Sequence, residues 1–569
     1  MTQFSIRRFN PIVVQALKNK GYSEALARVL SARGIESAED VDYDIRGLLP
    51  PDRLLNNMKA GEMLADAIEQ QKKIVVIGDY DCDGATATAA AVRGLKMLGA
   101  AHVAFLIPDR QKDGYGLSKP LVDRAAALGA ELLVTVDNGI SAHEAVSYAK
   151  SLGIATLVTD HHLPADTLPE ADCIVNPNQP RDTFPSKNLA GVGVIFYVLL
   201  AARSVLRARG RYAAQPQPNL SVLLDLVGLG TVADVVRLDK NNRILVHKAL
   251  DRIRKGTMNP GIAALLEVSR KNGCTLTATD LGFALAPRIN ASGRLENMSA
   301  GIECLLAPDI DRAAEMAARL NELNSQRREI EAEGLSEALS ELGTVQIGDE
   351  SSVCLFRESW HPGIIGLVAS RIKDRCYLPT ICFAPSDDPA ELKGSGRSIP
   401  GVHLRDVLDA VHKAAPGVVT KFGGHALAAG VTIRREGLEQ FRELFNSCVK
   451  ALAMPDAFNR VTATDGELRA EDFSIPFTLA LRSEVWGAGF PEPVFMNRFR
   501  VLSQTILKEQ HLKLRLEADG MTLTGIWFRH TKTLPETATL AYRLYINEWN
   551  GRRSVELNIE GMDASDDSF

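Results

Sequence analysis

The chain has 569 residues, too many for one hydrophobic core, so roughly two to four domains are expected. Hydrophobic residues make up 46% and charged residues 24%, which excludes a disordered or fibrous chain. A formal net charge of −5 excludes a surface coated in positive charge, so any nucleic-acid contact must come from a local basic groove.

Residues 1–45 form an N-terminal segment in which Arg7 and Arg8 are followed by no apolar run, so no secretory signal is expected. From Lys73 the pattern predicts a strand over Ile74–Ile77, an acidic turn over Gly78–Gly84 and an alanine-rich helix over Ala85–Leu98. Strands over Leu132–Val136, Ala155–Val158 and Cys173–Val175 alternate with helical stretches over Ser118–Leu128 and Ala142–Leu152. That alternation predicts an α/β domain with a parallel sheet, assigned to residues 46–305. The longest uncharged apolar stretch, Gly191–Ala202, is shorter than the about 20 residues a membrane-crossing helix takes, so no membrane span is expected. An exposed loop over Ala208–Pro218 precedes a helix over Leu220–Gly228.

A long proline-free helix over Asp309–Leu342 reads as a connector, residues 306–345, or alternatively as a core helix. A second, smaller α/β pattern fills residues 346–455. It has a strand over Ser352–Phe356, a helix over Ile364–Arg375, a strand over Pro379–Ala384 and glycine-marked turns at Gly394–Ser398 and Gly423–Gly430. Residues 456–562, with alternating segments such as Thr522–Phe528 and Leu540–Asn547, predict a small β-barrel or sandwich. The acidic residues 563–569 read as a disordered tail. Eight scattered cysteines, with no Cys-x-x-Cys pair, point to reduced thiols in a cytoplasm.

The acidic residues sit where the first domain's strands end, and ligands bind at that edge of open parallel sheets. Asp79, Asp81 and Asp83 alternate between Gly78 and Gly84, so all three can face one cavity. At about 4 Å and an effective dielectric near 20, each like-charged pair costs roughly 4 kcal/mol, so such a site needs a cation or protons. A solvated acidic turn or a calcium-type loop is the plainer alternative for that segment alone. Asp137 follows the next strand and Asp160-His161-His162 the one after, although adjacent histidines also serve as surface residues or helix caps. Asp234, in Gly-Thr-Val-Ala-Asp-Val, is a sixth candidate ligand or a helix cap. Five aspartates and a histidine suit Mg2+ or Mn2+ better than a structural zinc, and two ions suit phosphoryl chemistry better than one.

Gly-Asp-Tyr-Asp-Cys-Asp-Gly, Val-Asp-Asn-Gly, Asp-His-His and Gly-Thr-Val-Ala-Asp-Val, in this order, resemble the motifs of the DHH phosphoesterase family. The resemblance implies two metals held by Asp79, Asp81, Asp83, Asp137, His161 and Asp234, with Asp137 bridging. His162 would face the scissile phosphate and Asp160 would orient a histidine. Cys82 stands where the family usually has a small residue.

Trp360-His361-Pro362-Gly363-Ile364-Ile365-Gly366, Lys393-Gly394-Ser395-Gly396-Arg397-Ser398 and Gly423-Gly424-His425 look like the DHH-associated domain, which the pyrophosphatases of the class lack. The segment Ala286–Arg294 and the C-terminal module are similar to the single-strand-specific DNA exonucleases of the family, whose third module is an OB-like barrel. Those enzymes imply 5′→3′ release of 5′-mononucleotides from single-stranded DNA, in repair and recombination. They also imply a single-strand-binding protein and a RecQ-type helicase as partners, and a monomer is expected.

By the same resemblance Ser395 and Arg397 with Arg110 hold the 5′-phosphate, and Arg288 sits on phosphates near the scissile bond. Asn290 and His425 also join the substrate-binding set. Arginine suits the task because its planar fork makes two charge-assisted bonds to phosphate. Taken singly, such arginines are more often surface charges. Tyr115 is a base-stacking platform or a core aromatic. Rival readings are a DHH enzyme acting on very short RNA or a small phosphorylated molecule, a non-catalytic DNA-binding scaffold on the same fold, and a structural metal protein. Length argues against the first, and the complete ligand set argues against the second. Structural sites rarely leave surplus carboxylates around an open edge, which disfavours the third.

Overall fold

The computed structural model describes residues 3–109, 116–344 and 350–563. After an N-terminal strand, β1 (Gln3–Ile6), come β2 (Ile74–Ile77), β3 (Val103–Leu106), β4 (Leu132–Val136), β5 (Ala155–Thr159) and β6 (Cys173–Val175). The last five form one sheet, all neighbours parallel, in the order β3-β2-β4-β5-β6. Every residue of β2 and β4 is buried, because helices cover both faces of the sheet. Strand order reverses between β2 and β4, which opens a crevice at their carboxyl ends.

Three expectations change in this domain. The helix after β2 begins at Cys82, not Ala85, since the Asp81 carboxylate accepts from the Gly84 N–H and caps it; Asp83 therefore lies in its first turn. The apolar helix runs past Arg203, from Gly191 to Ala208, which makes it long and apolar enough to cross a membrane by composition. It is mostly buried, packed against helices Asn57–Glu69 and Cys82–Leu98. The helix expected over Leu220–Gly228 opens as a 3-10 turn, Leu220–Leu223, and continues as an α-helix over Leu224–Ala233, which puts Asp234 at its C-cap.

The long helix spans Ile310–Thr344, about 52 Å at 1.5 Å per residue. Ala313, Ala317 and Leu320 belong to the first core, and Ala338 to a separate cluster with the helix Ile365–Cys376, so one element is rooted in both halves.

The second sheet holds β7 (Val353–Phe356), β8 (Thr380–Pro385), β9 (Glu391–Arg397), β10 (Val419–Gly424) and β11 (Ala428–Arg434), in the order β10-β11-β9-β8-β7. Here the turn expected at Gly394–Ser398 is strand β9, while the one expected at Gly423–Gly430 is the hairpin that joins β10 to β11. A β-carbon on Gly394 would lie 2.5 Å from the Phe383 ring, and one on Gly396 would lie 2.8 Å from Leu404, so these glycines admit close packing and do not turn the chain.

β12 (Val461–Thr464) pairs in parallel with β1, joining the N-terminal segment to the start of the C-terminal module. Beside this pair Arg33 donates to both oxygens of Asp465, at 2.5 and 2.9 Å, with each side chain 1% exposed. β13 (Phe495–Leu507), β14 (His511–Ala518), β15 (Met521–Trp527), β16 (Thr537–Trp549) and β17 (Arg552–Met562) close into a barrel. Asp563 donates its backbone N–H to Thr539, and residues 564–569 lie outside the described ones.

Candidate metal centre and the cleft beside it

The crevice between β2 and β4 collects the acidic motifs. Asp79 follows β2, Asp137 follows β4 and Asp160 follows β5, while Asp83 and Asp234 arrive from helix ends. Their ligand atoms fall into groups of three within 4.8 Å of one another: Asp79, Asp81 and Asp137; Asp83, His161 and Asp234; and Asp137, His161 and His162. Asp137 belongs to two of these groups. It also has φ 63°, a left-handed conformation that a non-glycine residue holds only when its surroundings impose it. Val235, next to Asp234, shows the same strain at φ 60°.

Several parts of this scaffold are backbone. Asp83 accepts from the N–H groups of Gly191 and Val192, 2.6 and 3.0 Å, at the N-terminus of the helix Gly191–Ala208. Asn178 donates to the His161 carbonyl and Asn176 to the His162 carbonyl, so the turn after β6 fixes both histidines. His161 bonds the Leu189 backbone through one ring nitrogen, which aims Nε2 at Asp137, 3.1 Å away, and Asp234, 3.4 Å away. Nothing in the motifs marks Asn176, Asn178, Leu189 or Gly191, because all four contacts have a main-chain atom on one side.

Electrostatics follow from burial. Asp137 and Asp234 are held well above the carboxylate range by burial and then by Asp83 and Asp81, and Asp83 is pushed up to about 7 by burial and Asp81. Burial, then the neighbouring His162, brings His161 down to about 4, leaving a neutral ring with a lone pair to offer. His162 is the opposite case. Burial works against its charge, but the 2.7 Å bond to Asp160 and that carboxylate's charge push it up to about 9. Asp160 itself is opposed by burial yet falls below its usual range through His162.

Two buried atoms, His161 Nε2 and Asp234 Oδ2, make no hydrogen bond although they stand 3.4 Å apart. A buried polar pair left in this way is costly unless a cation sits between them. The donor set of carboxylate oxygens and one imidazole fits Mn2+ or Mg2+.

Beside the centre lies a cleft of about 810 Å³ between the two α/β domains, lined by Tyr80, Arg294, His361, Ser395 and Arg397 among others. Gly366 opens the helix Ile365–Cys376 there, and a β-carbon on it would lie 2.8 Å from Ser395 Oγ and 2.9 Å from the Arg397 guanidinium. Helix N-terminus, hydroxyl and guanidinium therefore converge on one small space, a combination suited to a phosphate. Exposed His425, at the end of β10, reaches near enough to His161 to lower its pKa, which links the second domain to the metal centre.

Two expected contacts sit elsewhere. Arg288 is 7% exposed, and its Nε and Nη1 donate to Asn321 and to the Ala284 carbonyl, so those two nitrogens are held within the protein. Asn290 accepts from the Cys82 N–H at 2.8 Å and so braces the acidic segment. Arg110 and Tyr115 lie outside the described residues.

Comparison with known proteins agrees with this geometry. Residues 73–231 match the DHH family N-terminal domain, 349–451 the DHHA1 domain and 464–561 the RecJ OB domain. The single-stranded-DNA-specific exonuclease RecJ of Salmonella typhimurium is 46% identical over 94% of this chain and 95% of its own length. That of Escherichia coli is 44% identical over the same shares. The chain belongs to the RecJ family of DHH phosphoesterases. RecJ of Thermus thermophilus in complex with Mn2+ superposes with a TM-score of 0.83 at 28% identity, over 99% of this chain and 79% of that one. A Mg2+ complex of the same protein gives 0.78 at 27%, over 99% and 78%. As a RecJ-family member the chain is a metal-dependent exonuclease, and the carboxylate and histidine cluster is the set of side chains able to hold the metal.

Proposed function

We propose that the chain degrades single-stranded DNA 5′→3′, releasing 5′-mononucleotides by hydrolysis at two divalent cations, Mn2+ or Mg2+, in DNA repair and recombination. One observation carries this reading: Asp79, Asp81, Asp83, Asp137, His161 and Asp234 converge on one crevice beside a cleft where a helix N-terminus, Ser395 and Arg397 come together. The sharing of Asp137 between two ligand groups fits a bridging role. When bound, such a pair of ions activates water and offsets charge growing on the phosphate.

The chain supplies the rest. His161, held neutral, offers Nε2 as a ligand, while Asp160 holds His162 charged and turned so that it donates to the scissile phosphate. Ser395, Arg397 and the first turn of Ile365–Cys376 hold the terminal 5′-phosphate, with Arg110 assisting and Tyr115 stacking on a base. Water adds to phosphorus, the bond to the 3′ oxygen breaks, and that oxygen leaves with a proton. A barrel of the OB type adds a sequence-tolerant grip on the strand. By resemblance to the family, we infer a single-strand-binding protein and a RecQ-type helicase as partners, and a cytoplasmic monomer.

The deciding assay offers end-labelled single-stranded DNA, duplex DNA and short RNA with Mg2+, Mn2+ or EDTA. Nucleotides should come from the 5′ end of the single strand alone, and only with metal. Release from the 3′ end, or turnover in EDTA, overturns the proposal.

A further inference from the structure

The cleft face of the second sheet is ordered in rows. Along β9 the residues Lys393, Ser395 and Arg397 face the cleft, while Leu392, Gly394 and Gly396 are buried. Register then aligns Arg397 with Ala428 and, across the β10–β11 turn, His425. The next row is Ser395, Gly430 and Gly423, and the one after it is Lys393, Thr432 and Lys421. Alternate residues on a strand lie roughly 6.6–6.8 Å apart, so each row is one such step from the last.

The row with Arg397 is nearest the metal centre: Arg397 and Ser395 sit against Gly366, the neighbouring Gly363 packs on Arg294, and Gly293 beside it abuts Tyr80 of the acidic segment. Moving outward, the middle row is flat. A β-carbon on Gly423 or Gly430 would meet nothing within 4 Å, which leaves an open floor beside Ser395. The outer row carries two ammonium groups lining the same cleft. Lys421 is exposed, and its ammonium makes no hydrogen bond or ion pair among the described residues. Lys393 has one carboxylate partner, Asp387, at 3.3 Å, and Asp387 is 76% exposed. Such a surface pair is worth about 0–1 kcal/mol and gives way readily to a stronger anion.

A 5′-monophosphate held by Arg397 and Ser395 occupies the first two rows and leaves the lysines idle. Resting on that assignment of the 5′-phosphate pocket, we propose that Lys393 and Lys421 form a further anion subsite for the β- and γ-phosphates of a 5′-triphosphorylated strand end. The glycine floor lets a phosphoanhydride chain pass from the Ser395 row to the lysine row, and flexible lysine stems suit its mobile outer phosphates. The first cleavage then adds water to the first internucleotide phosphorus and breaks its bond to the 3′ oxygen. A nucleoside 5′-triphosphate leaves, the remaining strand begins with a 5′-monophosphate, and the phosphoanhydride bonds stay intact.

The test compares single-turnover cleavage of one oligodeoxynucleotide bearing a 5′-triphosphate, a 5′-monophosphate or a 5′-hydroxyl, with first products identified by mass. The full-length enzyme should cleave the triphosphate end at least as fast as the monophosphate end and release a nucleoside triphosphate. In a Lys393→Met, Lys421→Met double variant the ratio of triphosphate to monophosphate cleavage should fall at least tenfold; general misfolding would lower both rates together. An unchanged ratio, or a wild-type enzyme that cleaves the triphosphate end no faster than the hydroxyl end, overturns the subsite. Arg397→Ala separates the two levels. If it leaves the monophosphate-to-hydroxyl ratio unaltered, the pocket assignment fails and the subsite falls with it, whereas an intact Arg397 effect beside a silent lysine pair removes the subsite alone.

Discussion

Gly191 stands so close to Asp137 that a β-carbon on it would lie 2.4 Å from the aspartate's own β-carbon. The same glycine gives its N–H to Asp83. Gly191→Ala should therefore push Asp137 out of register with both ligand groups it serves. A displacement near 1 Å at a reacting centre costs on the order of 100-fold in rate. We expect that loss in exonuclease turnover with a folded circular-dichroism spectrum; near wild-type turnover would show that the contact does not position Asp137.

Asp137→Ala should abolish metal-supported cleavage and reduce the thermal shift produced by Mn2+, because it removes the carboxylate common to two ligand groups. Retained turnover in a folded, purified variant would end the two-metal proposal.

Metal and pH are linked with a definite sign. Asp83 is raised to about 7 in the fold, against about 3.9 for a free aspartate, so its contribution to stability is full below the lower value and lost as pH rises through the upper one. In EDTA the Tm should fall between pH 5 and pH 8. Saturating Mn2+, which needs deprotonated ligands, should raise Tm most at the alkaline end. A Mn2+ increment larger at pH 5 than at pH 8 contradicts this.

Asp160→Asn keeps the shape of the side chain but withdraws the charge that holds His162 protonated and oriented. Loss of such a supporting partner typically lowers activity roughly 10- to 100-fold. The alkaline limb of the rate profile should also move to lower pH, since burial alone depresses the imidazole. A rate profile identical to wild type would remove His162 from the chemistry.

Asp465 ties the N-terminal segment to the start of the C-terminal module through Arg33 and Arg7, far in sequence from the metal motifs. Replacing one member of a buried pair leaves a charge uncompensated and costs about 3–5 kcal/mol. Asp465→Ala should lower Tm by several degrees in calorimetry while sparing cleavage of short oligonucleotides at low temperature. An unchanged Tm would mean that the β1–β12 junction contributes nothing to stability.

The carboxylates and His161 were legible in the sequence because each follows a short apolar strand or abuts a helix, and parallel strands deliver their carboxyl ends to one edge. The C-terminal β module and the long helix were legible for a similar reason, since period and composition report burial directly; the choice of barrel over sandwich came from the family resemblance. The Gly394–Ser398 motif misled, since a glycine that admits Phe383 or Leu404 in a strand looks the same as one that bends a turn.

What the chain alone determined, then, is which side chains could hold a metal and on which strands and helices they ride. Tertiary structure decided which of them meet and how they are held. The Asn176 and Asn178 bonds, the Leu189 carbonyl and the Gly191 N–H act through backbone atoms common to every residue. Arg288 turned inward, and His425 came to His161 from another domain. Contacts made by main chain, or across a domain boundary, depend on long-range packing and leave no local pattern to read.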